Sequence, residues 1–185
     1  VSFNTDNMVW AVSVPSAFTT EPLFPKFEDG KHEFNVSMTI PGSVAADTEQ
    51  SFTMTAASVA DSDVSMTQKF TGRVNQCYGL ELVMDEANKT AKANPGKDAS
   101  FSFHVKNTGN GDDTVSFTCM SCNDAWNPKF SSNTTSLESG ESKAMGFTAT
   151  VPSGTAAGKD GGMMMLHASS SGCPEAGCEM GDALY

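Results

Sequence analysis

The sequence has few cationic residues and no long apolar run. Lysine and arginine number 11 against 22 aspartates and glutamates, which gives a net charge of −11 and a pI near 4.5. Such a surface repels phosphate backbones, so we expect no nucleic-acid partner. No stretch of 18 apolar residues occurs, so we expect no membrane-spanning segment. The opening, VSFNTDNMVW, also lacks the basic start and apolar core of a signal peptide.

Histidine is scarce, and no segment combines helical periodicity with helix caps. His32, His104 and His167 lie far apart in the sequence, and no serine or cysteine nucleophile stands with a histidine and an acid in a recognisable order. Apolar and polar residues instead alternate with a period of two, as in FSFHV (101–105) and MGFTATVP (145–152). This alternation is typical of half-buried strands. The sequence therefore predicts an all-β protein that is not an enzyme.

The two halves of the chain align with each other. Residues 34–58 lie over residues 145–169 without a gap, at an offset of 111, and the VSF at the start of the chain corresponds to the VSF at 115–117. Trp10 then corresponds to Trp126, so core packing is the better explanation for both than sugar stacking. A shared order of strands, turns, tryptophan and proline indicates an internal repeat.

The alignment also predicts the domain boundaries. We expect tandem immunoglobulin-like β-sandwiches at 1–76 and 77–185, with the first lacking its initial strands and the second truncated at its last strand. A short linker is expected near Arg73 to Tyr78. On this interpretation the chain is part of a longer tandem array, and its open strand edges need pairing.

Several motifs of the second half resemble a known group of repeats. They are a strand ending in VKNTGN, the strand DDTVSF, Trp126, the turn LESGE and a strand ending in VPSG. In this order they resemble the CARDB/NEW3-type immunoglobulin-like repeats of archaeal and bacterial extracellular surface proteins. The resemblance covers most of residues 78–172 and, more weakly, 1–74. It implies a β-sandwich that serves as a spacer, an adhesive unit or an appendage, and it implies no particular activity.

The five cysteines are expected to form disulfides in an oxidising compartment. Cys119 and Cys122 stand close together in CMSC, and Cys173 and Cys178 in CPEAGC. Disulfides within these pairs are the plainest interpretation. A four-thiolate zinc site and a redox dithiol are the alternatives, although a redox dithiol normally begins a helix. Cys77 is left over and is predicted to pair outside this chain.

The acidic pairs are weak candidates for a metal site. In NTGNGDD, Asp112 and Asp113 are adjacent strand residues, so their carboxylates should point to opposite faces. Asparagine and glycine supply positive φ angles, which favours a tight turn over a calcium loop. Asp61 and Asp63 are a second weak candidate for calcium. No other cofactor is expected.

The methionine run in GGMMMLHASSS supplies the interface candidates. By the ungapped alignment, Met163 and Met165 replace Phe52 and Met54 and should face the core. Met164 and Leu166 should then face outward and form a contact with another domain or partner. A copper site of thioethers and an imidazole is the less favoured alternative.

Three sequons, at Asn35, Asn88 and Asn133, are candidates for glycosylation. Together these features predict a structural or interaction module of an extracellular, cell-surface protein, such as a spacer, adhesin, surface-layer or filament component. Its partners would be neighbouring repeats, copies of itself or a glycan. The alternative is an accessory module that binds carbohydrate or a metal ion.

Overall fold

The computed structural model describes residues 2–6, 10–14, 33–159, 161–173 and 179–184, the first and last of these by backbone only. The chain divides into two compact units, Val1–Asn75 and Gln76–Tyr185. The described helices are two single 3₁₀ turns, at Glu86–Asn88 and Asp124–Trp126. The protein is therefore all-β, as the alternating pattern predicted. No helix in the described ranges has the length and apolarity that crossing a membrane requires.

Each unit contains antiparallel sheets. The described strands of unit 1 are β1 (Ser2–Asp6), β2 (Ala11–Ser13), β3 (Ser37–Thr39), β4 (Glu49–Ala57) and β5 (Ser65–Arg73). Those of unit 2 are β6 (Leu80–Val83), β7 (Asp98–Asn107), β8 (Asp113–Cys119), β9 (Lys129–Phe130), β10 (Thr134–Leu137), β11 (Ser142–Thr150), β12 (Met164–Ser170) and β13 (Glu179–Leu184). The sheet orders are β1-β4-β5 and β2-β3 in unit 1, and β10-β8-β12-β13 and β6-β7-β11-β9 in unit 2.

The two sheets of unit 2 share one apolar core. On β7, Phe101, Phe103 and Val105 are buried while His104 between them is exposed, because successive side chains of a strand point to opposite faces. Phe103 meets Phe117 of the other sheet edge-on, with 5.7 Å between the ring centroids. The core cluster draws on strands from both sheets. The predicted inward positions of β7 are therefore confirmed.

Unit 1 buries a tryptophan and the inner face of β4. Phe52 and Met54 are buried on β4, and the Phe52 ring stacks on Phe70 of β5 at 5.2 Å. Trp10 is also buried. A β-carbon on Gly72 would come within 3.4 Å of the Trp10 ring, so the glycine allows β5 to approach this side chain closely.

Strand pairing follows the same register in the two units. The sequence matches set the shifts of three strands: VSF at 1–3 with VSF at 115–117 moves β1 by 114 residues, Trp10 with Trp126 moves β2 by 116, and residues 34–58 with 145–169 move β3 by 111. The matched pairs are Ser2–Ala57 with Ser116–Ser169, Ser13–Ser37 with Lys129–Thr148, and Phe52–Phe70 with Met164–Leu184. The sheet order β1-β4-β5 then corresponds to β8-β12-β13.

Candidate functional site

The loop between β7 and β8 is organised around a buried asparagine. Asn107 is fully buried, and its Nδ2 donates to the carbonyl oxygens of Gly111 at 2.8 Å and Leu137 at 3.2 Å. Its Oδ1 accepts from the backbone N–H of Gly109 at 2.8 Å. The polar groups of this side chain therefore hold the loop to itself and to β10, as expected of a structural turn.

The two aspartates of this loop lie on opposite sides of β8. Asp112 is exposed, whereas Asp113 is buried with Val115 on the inner face. Asp113 Oδ2 and Ser170 Oγ are buried oxygens without a hydrogen-bond partner in the described structure. The two side chains therefore lie in different environments, Asp112 at the surface and Asp113 on the inner face, as alternation along a strand predicts.

The same loop fixes the start of unit 2. The Gln76 side chain donates to the Asp112 carbonyl oxygen at 2.7 Å, and the Cys77 N–H donates to Asn110 Oδ1 at 2.7 Å. On the other side, the buried Val74 donates through its N–H to the Thr48 carbonyl oxygen. The boundary between the two units, between Asn75 and Gln76, falls within the segment Arg73 to Tyr78 where the linker was predicted.

The second acidic pair belongs to the β4–β5 hairpin loop. Asp61 Oδ1 accepts from the Asp63 N–H at 3.1 Å, and Ser58 Oγ accepts from the Asp61 N–H at 3.3 Å. Both aspartates are exposed. Within the described ranges, no three histidine, cysteine, aspartate or glutamate side chains form a group that could hold a metal ion. Asp61 therefore acts as a turn residue in this loop.

One predicted disulfide is present, and for the other the structure describes only one of the two cysteines. Cys119 and Cys122 are joined, with 5.7 Å between their Cα atoms. Cys173 is also in a disulfide, and its predicted partner Cys178 lies outside the described residues. Cys77 is a free, exposed thiol. The sulfurs of Cys119 and Cys122 are bonded to each other, which favours a disulfide over a thiolate zinc site. Cys119 ends a strand and does not begin a helix, which also disfavours a redox dithiol.

The predicted orientation of β12 is wrong. Met164 and Leu166, the interface candidates, are 4% and 1% exposed and pack in the core, whereas Met163 and Met165 are 46% and 36% exposed. The strand pairing explains the error. With the VSF at 1–3 matched to the VSF at 115–117, the partners of β1 and β8 place Met54 over Leu166, an offset of 112 instead of the 111 of the ungapped alignment. One additional residue before β12 reverses the face of every side chain on it.

The corrected orientation brings sulfur and imidazole groups together on the outer face of unit 2. Met165 and His167 share the outer face of β12, and Met163 immediately precedes the strand at the same alternate position. Met120 follows β8 beside them and is 65% exposed. The Met120 N–H donates to the Met165 carbonyl oxygen at 2.9 Å. We call these four residues the thioether face. Sequence reasoning missed it because only the sheet pairing brings Met120 next to Met165.

A cavity of about 550 Å³ opens beside Trp126 in unit 2. Its lining includes Ala91, Asn94 and Lys159 around the partly buried Trp126. A β-carbon on Gly161 would come within 2.7 Å of the indole, so the glycine packs directly on the ring. The cavity is within the size range of small-molecule sites, and it mixes apolar walls with a few polar groups.

The three sequon asparagines, Asn35, Asn88 and Asn133, are all exposed, so each is accessible for the predicted modification. Comparison of the chain with models of known protein families and with curated proteins gave no match.

Proposed function

We propose that the chain is a tandem pair of immunoglobulin-like β-sandwich units from an extracellular, cell-surface protein. In this role it spaces or presents neighbouring domains and contacts neighbouring repeats or copies of itself. The proposal assigns no catalytic step to the chain. The observation that carries it is the shared register of strand pairing in the two units.

A shared register is a demanding match. A slip of one residue moves every side chain of a strand to the opposite face, so register is specified by the core and is conserved only when the core positions correspond. For β2 and β3 the shifts are fixed by the sequence alone: Trp10 with Trp126 moves β2 by 116 residues, and residues 34–58 with 145–169 move β3 by 111. These two shifts carry the pair Ser13–Ser37 onto Lys129–Thr148, which is a strand pair of unit 2. Repetition of one folding unit in tandem is typical of proteins that act by length and surface contact.

The cysteines and sequons support the extracellular placement. The Cys119–Cys122 disulfide and the bonded Cys173 are stable in an oxidising compartment and unusual in a reducing one. Asn35, Asn88 and Asn133 are exposed where a glycan would have to be attached. These observations do not depend on the strand registers, so the extracellular location and the tandem repeat are separate proposals that can be tested separately.

An exposed strand edge supports the contact role. In the described structure β5 pairs with β4 alone, and most of its residues are exposed. An edge of this kind presents unpaired N–H and C=O groups that can accept a further strand. Such a strand would come from a neighbouring repeat or from a second copy.

The location can be tested on intact cells that produce the protein. We expect brief treatment with an impermeant protease to release peptides of this chain, and mass spectrometry of those peptides to find glycan at one or more of the three sequons. Peptides that appear only after the cells are lysed would overturn the extracellular assignment.

The Trp126 cavity favours a carbohydrate-binding accessory module as the second candidate function. An indole beside a cavity of about 550 Å³ offers a stacking surface for a sugar ring. Titration with oligosaccharides should then change tryptophan fluorescence in the parent and in Trp10→Phe, because Trp10 is buried in unit 1. The change should disappear in Trp126→Phe. A response that persists without Trp126, or no response to any sugar, counts against this candidate.

A further inference from the structure

We propose that the thioether face binds a soft monovalent cation, Cu(I), through the sulfur atoms of Met120, Met163 and Met165, with the imidazole of His167 as a further ligand. The inference is independent of the spacer proposal. It rests on the observed orientation of β12, which is the opposite of the one that the ungapped alignment predicts.

The backbone places the three methionines close together. Met163 and Met165 are alternate residues on one face, about 7 Å apart along the strand. Met120 continues the pairing that joins Cys119 to Leu166, and its N–H bonds to the Met165 carbonyl oxygen. Directly opposed residues have β-carbons about 5 Å apart. Because a methionine side chain has three rotatable bonds, the three sulfurs can converge on one ion.

The surroundings leave this face accessible. Met120, Met163 and Met165 are all exposed. On β8, Thr118 is paired with His167, and Thr118 Oγ1 lies 3.5 Å from His167 Nδ1. This contact keeps the imidazole on the same face as the thioethers.

The donor set selects the metal. Thioether sulfur is a soft, uncharged ligand that favours Cu(I) and related ions, whereas calcium and magnesium prefer several oxygen ligands. Met120 lies between Cys119 and Cys122, whose sulfurs are joined. The thioethers are therefore the sulfur groups at this corner of the sheet that can coordinate a soft ion.

An apolar contact surface is the competing explanation, and leucine distinguishes the two. A Met→Leu change preserves apolar volume and costs little stability, even in a core, but it removes the sulfur. A contact surface would tolerate leucine at all three positions, while a soft-metal site would be lost.

The test uses the full chain with Cys77→Ser, because the exposed Cys77 thiol would itself bind the ion. The probe is Ag(I), a redox-inert analogue of Cu(I), added as its nitrate in chloride-free buffer. With ¹³C-labelled methionine methyl groups, we expect the signals of Met120, Met163 and Met165 to shift together and saturate at one equivalent. The signal of Met66, which is 74% exposed in unit 1, should stay in place.

Two variants in the same background complete the experiment. The triple variant Met120→Leu, Met163→Leu and Met165→Leu should lose stoichiometric Ag(I) binding, and Met66→Leu should retain it. In separate samples without silver, Cu(I) kept reduced with ascorbate should shift the same three methyl signals of the parent. The proposal is overturned if the triple variant binds Ag(I) as tightly as the parent, if the Met66 signal shifts equally, or if Cu(I) leaves the three methyl signals in place.

Discussion

Strands β4 and β12 are the middle strands of their respective sheets, and they are alike on one face only. Each lies between two antiparallel neighbours, β1 and β5 for β4, and β8 and β13 for β12. On the inner face, Phe52 and Met54 are buried in unit 1, and Met164 and Leu166 are buried in unit 2. Close packing leaves little freedom in the size and polarity of such residues.

The outer faces differ in chemistry. On β4, Ser51 bonds to Thr71 at 2.7 Å and Thr55 bonds to Thr67 at 2.9 Å, so hydroxyl pairs connect β4 to β5. On β12, the corresponding face carries Met165 and His167, and Met163 comes directly before the strand. The comparison teaches that the inner face specifies the unit, while the outer face is free to acquire a different chemical character.

The largest expected effect comes from two adjacent residues on β12. Leu166→Ala should lower the free energy of unfolding by about 2–5 kcal/mol, because it leaves a cavity in the core. Met165→Ala should change it by less than about 0.5 kcal/mol, as expected at the surface. Urea denaturation of both variants measures the difference. Equal losses would show that the assigned faces of β12 are wrong.

The disulfide is a second difference between the two units, because all five cysteines lie in unit 2. Replacing Cys119 and Cys122 by serine opens a four-residue ring, and we expect a loss of about 2 kcal/mol from the increased entropy of the unfolded chain. Thermal denaturation without reductant provides the measurement. A Cys77→Ser control should unfold like the parent, and a large loss in that control would contradict the free, exposed state of this thiol.

Removing one hydroxyl pair from the outer face of unit 1 should have a smaller effect. Thr55→Val with Thr67→Val deletes the bond between β4 and β5 but retains β-branched side chains, so we expect a loss of about 0.2–1 kcal/mol. A double-mutant cycle isolates the coupling between the two positions. Zero coupling energy would mean that the hydroxyl pair does not hold the strands together.

The smallest expected effect on stability comes from giving β12 the outer chemistry of β4. Met163→Thr with Met165→Thr should change the free energy of unfolding by less than about 0.5 kcal/mol. The same variant should lose the increase in melting temperature that Ag(I) produces in the Cys77→Ser background, because ligands stabilise the state that binds them. An unchanged Ag(I) effect would separate this stabilisation from the thioether face.

The sequence predicted the strands of unit 2 well where polarity alternates clearly. FSFHV has aromatic residues at one parity and serine and histidine at the other, so its core face follows directly from the pattern. The turn at NTGNGDD was predicted from its asparagine and glycine residues. The different orientations of its two aspartates were predicted from the alternation of side chains along a strand. The Cys119–Cys122 pair needed only its close spacing.

The orientation of β12 could not be predicted from its own residues. Three consecutive methionines followed by leucine place apolar side chains on both faces of the strand. The alternating pattern therefore does not show which face lies in the core. The ungapped alignment supplied the choice, and one extra residue in the connection before β12 reversed it. The approach of Met120 to Met165 also depends on a cross-strand register, which local pattern does not encode.

The attachment of residues 76–79 to the β7–β8 loop has a mechanical consequence. Backbone bonds from Asn110 to Cys77 and from Thr108 to Gly79 add to the side-chain bonds of Gln76 and Asn110 in this region. A tensile load applied to the chain at Asn75 is shared among these bonds before it reaches the β6–β7 ladder. The loop thus resists peeling of the first strand from its sheet.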